Sequence, residues 1–243
     1  MHYRDLEITH KAYYEIEPMG ELYDDYMRQK DVRQWTETVS NGEAKKLLRF
    51  IRSWDPFFVG KPETFQRLYS EIAPHIQLLK NESIDNIKLD NKQVEKSIIH
   101  IFDKTAKNLS DKHQSTAASK ALHTILPKLV VMWDRKIRAG ILKNVNKDYG
   151  TAYVWEFLPK MQKEAKEAVS SCMEEKNLSY ASAKKQIEQS CRGHTLAKLL
   201  DQHNYVIFTR PSKFRSFTEW ELRKGKITEK EQKRLLRKLH YQN

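Results

Sequence analysis

With 243 residues, 44 Lys and Arg against 32 Asp and Glu, and a formal net charge of +12, the chain is long enough to bury a core as one large domain or two small ones. Only Cys172 and Cys191 are present, outside any CxxC or Cys/His ligand spacing, which argues against a disulfide scaffold or a structural zinc site. The N-terminal MHYRDLEITHK has no apolar signal core, and nowhere do about 18 apolar residues run together, so cytoplasmic residence is the expectation. The basic excess favours a polyanionic partner, nucleic acid before membrane. It is also uneven: residues 1–35 are acidic on balance, whereas 104–148 and 209–243 are strongly basic. That distribution implies a directional surface.

In chain order, the first ten residues read as irregular. Helical spacing then runs through Met19–Val39 (Leu22, Tyr23, Tyr26, Met27, Trp35) until Asn41-Gly42 breaks it. A second helix is expected from Glu43 to Trp54 on the stripe Leu47, Leu48, Phe50, Ile51, ending in the aromatic loop Trp54-Asp55-Pro56-Phe57-Phe58. Pro62-Glu63 opens a third, which Pro74 should kink or split. Ile84–Leu109 continues in helical register. Beyond Gly140 come Asn144-Val145-Asn146 and an aromatic cluster (Tyr149, Tyr153, Trp155, Phe157). Helices are then expected over Leu158–Lys176 and Ser179–His203. Tyr205-Val206-Ile207-Phe208 is strand-like but too short to carry a sheet, and Arg210–Arg215 reads as a basic loop. Thr228–Glu231 forms a capping box for a last basic helix.

The stretch Ser115–Arg138 is the least polar part of this polar chain. Small residues Ser115–Ser119 precede Lys120, which allows close backbone approach. Pro127 should stop the helix near Leu126. The apolar run Leu129–Trp133 then delivers Asp134 to the start of a helix beginning Arg135-Lys136-Ile137-Arg138, where a carboxylate suits the N-cap. A lysine after a tight turn and a carboxylate at a helix start could share one cleft.

This pattern of a lysine opening a helix, a proline, an apolar run and an aspartate capping the next helix resembles the catalytic segment of the helix-hairpin-helix DNA glycosylases. It is most similar to the divergent 8-oxoguanine-glycosylase-like branch, to which antiviral glycosylases acting on modified phage bases are related. The resemblance implies an all-α, two-lobed fold in one domain, with the hairpin and catalytic segment at about 110–140 and the N- and C-terminal helices sharing a lobe. It implies a monomer that needs no cofactor or metal and acts on double-stranded DNA. Lys120 falls on the family's nucleophilic lysine and Asp134 on its catalytic aspartate. The chain has no glycine between Gly60 and Gly140, so Ser115–Ser119 stand where the family's hairpin is glycine-rich.

Cleaving an N-glycosidic bond builds positive charge on the sugar, which a fixed carboxylate such as Asp134 stabilises; its bland role is a helix cap. Lys120 must be partly neutral to attack, and Lys128, Arg135 and Lys136 are candidates for depressing its proton affinity. Attack would give a Schiff base and strand cleavage. A flipped base needs flat walls. Among the aromatics Trp54, Phe57, Phe58, Trp133, Tyr149, Tyr153, Trp155 and Trp220, two or three should line the pocket. Trp54 and Trp220 lead because Asp55, Glu219 and Glu221 accompany them. Asp55 and Trp133 complete the expected base pocket. Expected DNA contacts are Ser115, Thr116, Ser119, Lys128, Arg135, Arg138, Arg210, Lys213 and Arg215. His113 and His123 read as structural histidines. Two other readings stay open: a non-catalytic helical nucleic-acid-binding protein, and a HEPN-type ribonuclease built on Arg234 and His240.

Overall fold

The computed structural model describes residues 1–29, 35, 37–110, 114–142 and 149–240, and among them every regular element is helical. Helix α1 (Tyr3–Ile16) occupies the segment expected to be irregular. Its buried face escaped the hydrophobic pattern because it includes Asp5, Thr9 and His10. Each is satisfied internally: Asp5 by Arg234, Thr9 by the Asp5 carbonyl, and His10 Nδ1 by Gln202 Oε1 at 2.8 Å. Helix α2 (Gly20–Gln29) covers the first part of the expected Met19–Val39 helix; residues 30–34 and 36 lie outside the described residues.

Asn41-Gly42, read as a breaker, instead begins α3 (Asn41–Trp54), because Ser40 Oγ accepts from Glu43 N and caps it. Helix α4 (Pro62–Leu79) starts on Pro62 and runs through Pro74 unsplit. Its buried stripe of Phe65, Leu68, Tyr69, Ile72, Ile76 and Leu79 holds both halves in one core. Helix α5 (Lys92–Asn108) begins eight residues later than the pattern suggested, at an Asn91 cap, since Ser83–Asn91 is folded into turns.

Helices α6 (Ser115–Ile125) and α7 (Arg135–Ile141) flank Pro127 as expected, with Leu126 as C-cap. Helix α8 (Tyr149–Ala152) passes through a π-helical turn, Tyr153–Phe157, into α9 (Leu158–Lys176). Asn144-Val145-Asn146 and His113 lie outside the described residues. The helix expected over Ser179–His203 is two, α10 (Tyr180–Ser190) and α11 (Leu196–Asn204), divided where Arg192 and Gly193 take φ of 58° and 75°. Tyr205–Thr209 is a second π-helical turn rather than a strand, continuing α11, with no strand among the described residues to pair with. Arg210 caps α12 (Pro211–Arg223), so the expected basic loop is mostly helix. Helix α13 (Glu229–His240) opens with the Thr228/Glu231 capping box.

Two apolar clusters result. The larger joins α3–α6 and α9–α11. The smaller packs Ile8, Ala12 and Tyr13 of α1 against Phe214, Phe217, Leu235 and Leu239, so the first and last helices share it. Between α6 and α7, Val130–Trp133 crosses the larger core without regular structure and fully buried. Side chains bond both backbone groups of Val131 and of Trp133. Tyr153 Oη donates to Val131 O and accepts from Val131 N, both at 2.9 Å, and Ser119 Oγ does the same for Trp133 O and N at 3.1 and 3.2 Å. Phe102, Trp133, Tyr153 and Phe157 pack ring against ring around it.

Tyr153→Phe leaves a buried N–H and a buried C=O of Val131 unpaired, and is expected to cost about 2–4 kcal/mol of stability. A urea titration monitored by circular dichroism measures it; an unchanged midpoint would show that the hydroxyl is not what holds this segment.

Candidate functional site

The extended segment ends at Asp134, on the wall of a cavity of about 360 Å³. The cavity lies where the C-terminal ends of α1 and α3 meet α6, α11 and the second π-helical turn. Tyr13, Tyr23, Phe50, Trp54 and Tyr205 give it aromatic walls. Lys120, Asp134, Asp55, Asp201, Glu17 and Arg210 supply its charge.

Asp134 caps α7: one carboxylate oxygen accepts from Ile137 N at 2.8 Å. The other accepts from the Thr209 hydroxyl at 2.6 Å. Lys120 does not open a helix as the pattern implied. It sits in the second turn of α6, one turn beyond Thr116, so both reach the cavity from one face while Ala117, Ala118 and Ala121 are buried on the others. Its Nζ stands 5.7 Å from the Trp54 ring centroid. Burial pushes the Lys120 ammonium below the ordinary lysine range; Asp55, Asp201 and Asp134 oppose the shift, and Lys198 adds to it. The like charge that bears most on Lys120 is therefore Lys198, whereas Lys128, Arg135 and Lys136 are exposed.

Lys198 and Asp201 form a buried pair, Nζ to Oδ2 2.8 Å, beneath the cavity. The Lys198 ammonium also lies 4.2 Å from the Tyr23 ring centroid and 5.0 Å from that of Tyr13. Burial raises the Asp201 carboxyl, and Lys198 opposes that shift. Glu17 accepts from the Tyr205 hydroxyl and from Arg210.

Several expected site residues are placed elsewhere. Ser115 and Ser119 are buried and engaged inside the protein, Ser115 with Arg138 and Ser119 with the Trp133 backbone, so neither offers itself to a phosphate. Arg138 is drawn inward too, over the rings of Trp133 and Tyr149. Lys128 is exposed on a turn whose carbonyls bond Ile84 and Thr195, and does not line the cavity. Trp220 is half-exposed between Lys11 and Lys224, away from the cavity. Trp54, Asp55 and Thr116 line it, as does Trp133, although Trp133 is otherwise core. Arg210 lines it, while Arg135, Lys213 and Arg215 are exposed.

His123 is structural, bonded to Tyr23 Oη and Val130 O. Arg234 ties α13 to Asp5 of α1; the His240 side chain lies outside the described residues. Sequence reasoning missed Tyr13, Glu17, Tyr23, Asp201, Tyr205 and Thr209. A signal existed for Asp201 alone, since Lys198 and Asp201 interrupt an apolar run at helical spacing.

Comparison with protein-family models, with curated proteins and with solved structures finds no match, so the chemistry is read from the geometry.

Labelling with an amine-selective reagent across a pH series, read by peptide mass spectrometry, should show Lys120 reaching half-modification at lower pH than the other lysines of the chain. Asp55→Asn removes the largest opposing charge and should lower that pH further. A Lys120 that is half-labelled only at the pH of ordinary lysines would contradict the assignment.

Proposed function

We propose that the protein is a DNA glycosylase that excises a flipped, modified base. One observation carries this reading: Lys120 and Asp134, singled out as a pair by the sequence pattern, line one aromatic-walled cavity. A carboxylate fixed by two hydrogen bonds stabilises positive charge developing on a sugar, and a lysine whose ammonium is disfavoured can attack the anomeric carbon. Trp54 and Tyr13 offer ring faces on which an extruded base can stack. At the rim, Arg210 lines the cavity, and Arg135 and Lys213 lie within three residues of lining positions, suited to flanking phosphates.

The lining also bears on the substrate. Glu17, Asp55 and Asp201 set carboxylates among the aromatic walls. The aromatic walls suit a flat base such as 8-oxoguanine, and those carboxylates suit a base enlarged by hydroxyl-bearing groups, such as a glucosylated hydroxymethylcytosine of a phage genome. Removing such a base from invading DNA would be antiviral defence.

Duplexes carrying single modified bases, 8-oxoguanine and glucosylated hydroxymethylcytosine among them, test this reading by mass spectrometry of the released base and by alkaline cleavage of abasic sites. Asp134→Asn should slow base release by about 10²–10⁴-fold. Lys120→Gln should abolish strand scission if the lysine forms a Schiff base. Normal release by Asp134→Asn removes the assignment. Binding without release from any duplex favours a non-catalytic nucleic-acid-binding protein, and RNA cleavage lost in His240→Ala favours the ribonuclease.

Replacing both Lys213 and Arg215 by Ala should weaken duplex binding and reduce the slope of log affinity against log salt by about two, as expected for two lost phosphate contacts. Fluorescence anisotropy at several salt concentrations measures the slope, and an unchanged slope would place the DNA on another face.

A further inference from the structure

The geometry points to Thr209 as the residue that positions Asp134, delivered by a π-helical turn whose Phe208 ring lies on Gly140 of α7. This role rests on the glycosylase reading of the site.

An N-cap bond alone ties one carboxylate oxygen to the helix and leaves the other free to swing about the Cβ–Cγ bond. In this protein the second oxygen, Oδ2, accepts from Thr209 Oγ1 at 2.6 Å, while Oδ1 holds Ile137 N at 2.8 Å. With both oxygens engaged the plane of the group is set, and each oxygen keeps lone-pair capacity.

Thr209 reaches Asp134 because of two local irregularities. Tyr205–Thr209 is closed by a bond from Arg210 N to Tyr205 O, an i to i+5 turn that shifts the following residues around the helix relative to α11. The same turn puts the Tyr205 hydroxyl on Glu17, so two cavity contacts come from one turn. Its Phe208 ring then lies directly on Gly140 of α7: a Cβ at position 140 would stand 2.3 Å from Phe208 Cδ1. Gly140 is exposed, inside a helix, at ordinary negative φ, where alanine would be preferred by about 1 kcal/mol. The close approach of Phe208 is what the glycine accommodates.

The experiment compares Thr209→Val, Thr209→Ser and Gly140→Ala with the wild-type protein in base release from the best modified duplex, alongside DNA affinity and thermal unfolding. Thr209→Val should lower kcat by about 10- to 100-fold, as for loss of a hydrogen bond to a charged group, with KM and DNA affinity within about twofold. Thr209→Ser, which keeps the hydroxyl, should restore kcat. Gly140→Ala should lower kcat by displacing Phe208, although helix propensity favours the substitution.

A Thr209→Val protein with unchanged kcat overturns the role while leaving the glycosylase reading intact. So does a kcat loss matched by equal loss of DNA binding, or one that serine does not rescue. No base release by wild-type protein from any duplex overturns the glycosylase reading and this role with it.

Discussion

A buried stretch of non-helical backbone in an all-helical protein must find partners for its N–H and C=O groups, and the site depends on how Val130–Trp133 finds them. Among the described residues no strand lies beside it. The Tyr153 hydroxyl and the Ser119 hydroxyl each bond both the N–H and the C=O of one residue, and His123 bonds the Val130 carbonyl. Three polar side chains thereby fix the path of the chain through the core, and with it the point where Asp134 emerges. Their burial explains why small and polar residues recur on α6: Ser119 and His123 face the segment they hold, while Lys120 and Thr116 face the cavity.

The cavity inverts the charge of the molecule. A chain of net +12 keeps exposed cations at Arg135, Lys213 and Arg215 but lines its interior site with Glu17, Asp55, Asp134 and Asp201. Each sign suits a different task. In the proposed glycosylase the exposed cations would act at a distance on phosphates and the enclosed carboxylates at short range, where less water screens them. Lys120 and Lys198, on the cavity wall and beneath it, are set among these acids. The Lys198–Asp201 pair places both a like and an opposite charge near Lys120, so the state of Lys120 is a balance of burial against three carboxylates.

The two π-helical turns lie at the ends of this arrangement. One carries Tyr153 to the buried segment, and the other carries Tyr205 and Thr209 to the cavity. Both sit where one helix runs into the next, in sequences rich in aromatic and β-branched residues, and the second reads from its residues alone as a short strand. Tertiary packing overrode that local preference, since no other strand is present among the described residues.

Much of the architecture was written in the pattern of residues. Helix α9 matched its expected bounds, Pro127 ended α6 near Leu126, Asp134 capped α7, and Thr228 with Glu231 opened α13, because caps, prolines and apolar stripes are local signals. The errors share a cause. Helix α1 was missed because its buried face holds Asp5, Thr9 and His10, which are tolerable inside only once Arg234 and Gln202, distant in sequence, arrive beside them. Ser115 and Ser119 pointed toward phosphate by composition and were turned inward by the needs of a neighbouring backbone. The sequence by itself determined an all-helical chain with a lysine and an aspartate flanking a proline-broken turn. Only the tertiary structure decided that Trp54, Tyr13, Asp201 and Thr209 would meet them, because a cavity is made by elements far apart along the chain, and no local periodicity records which of them face one another.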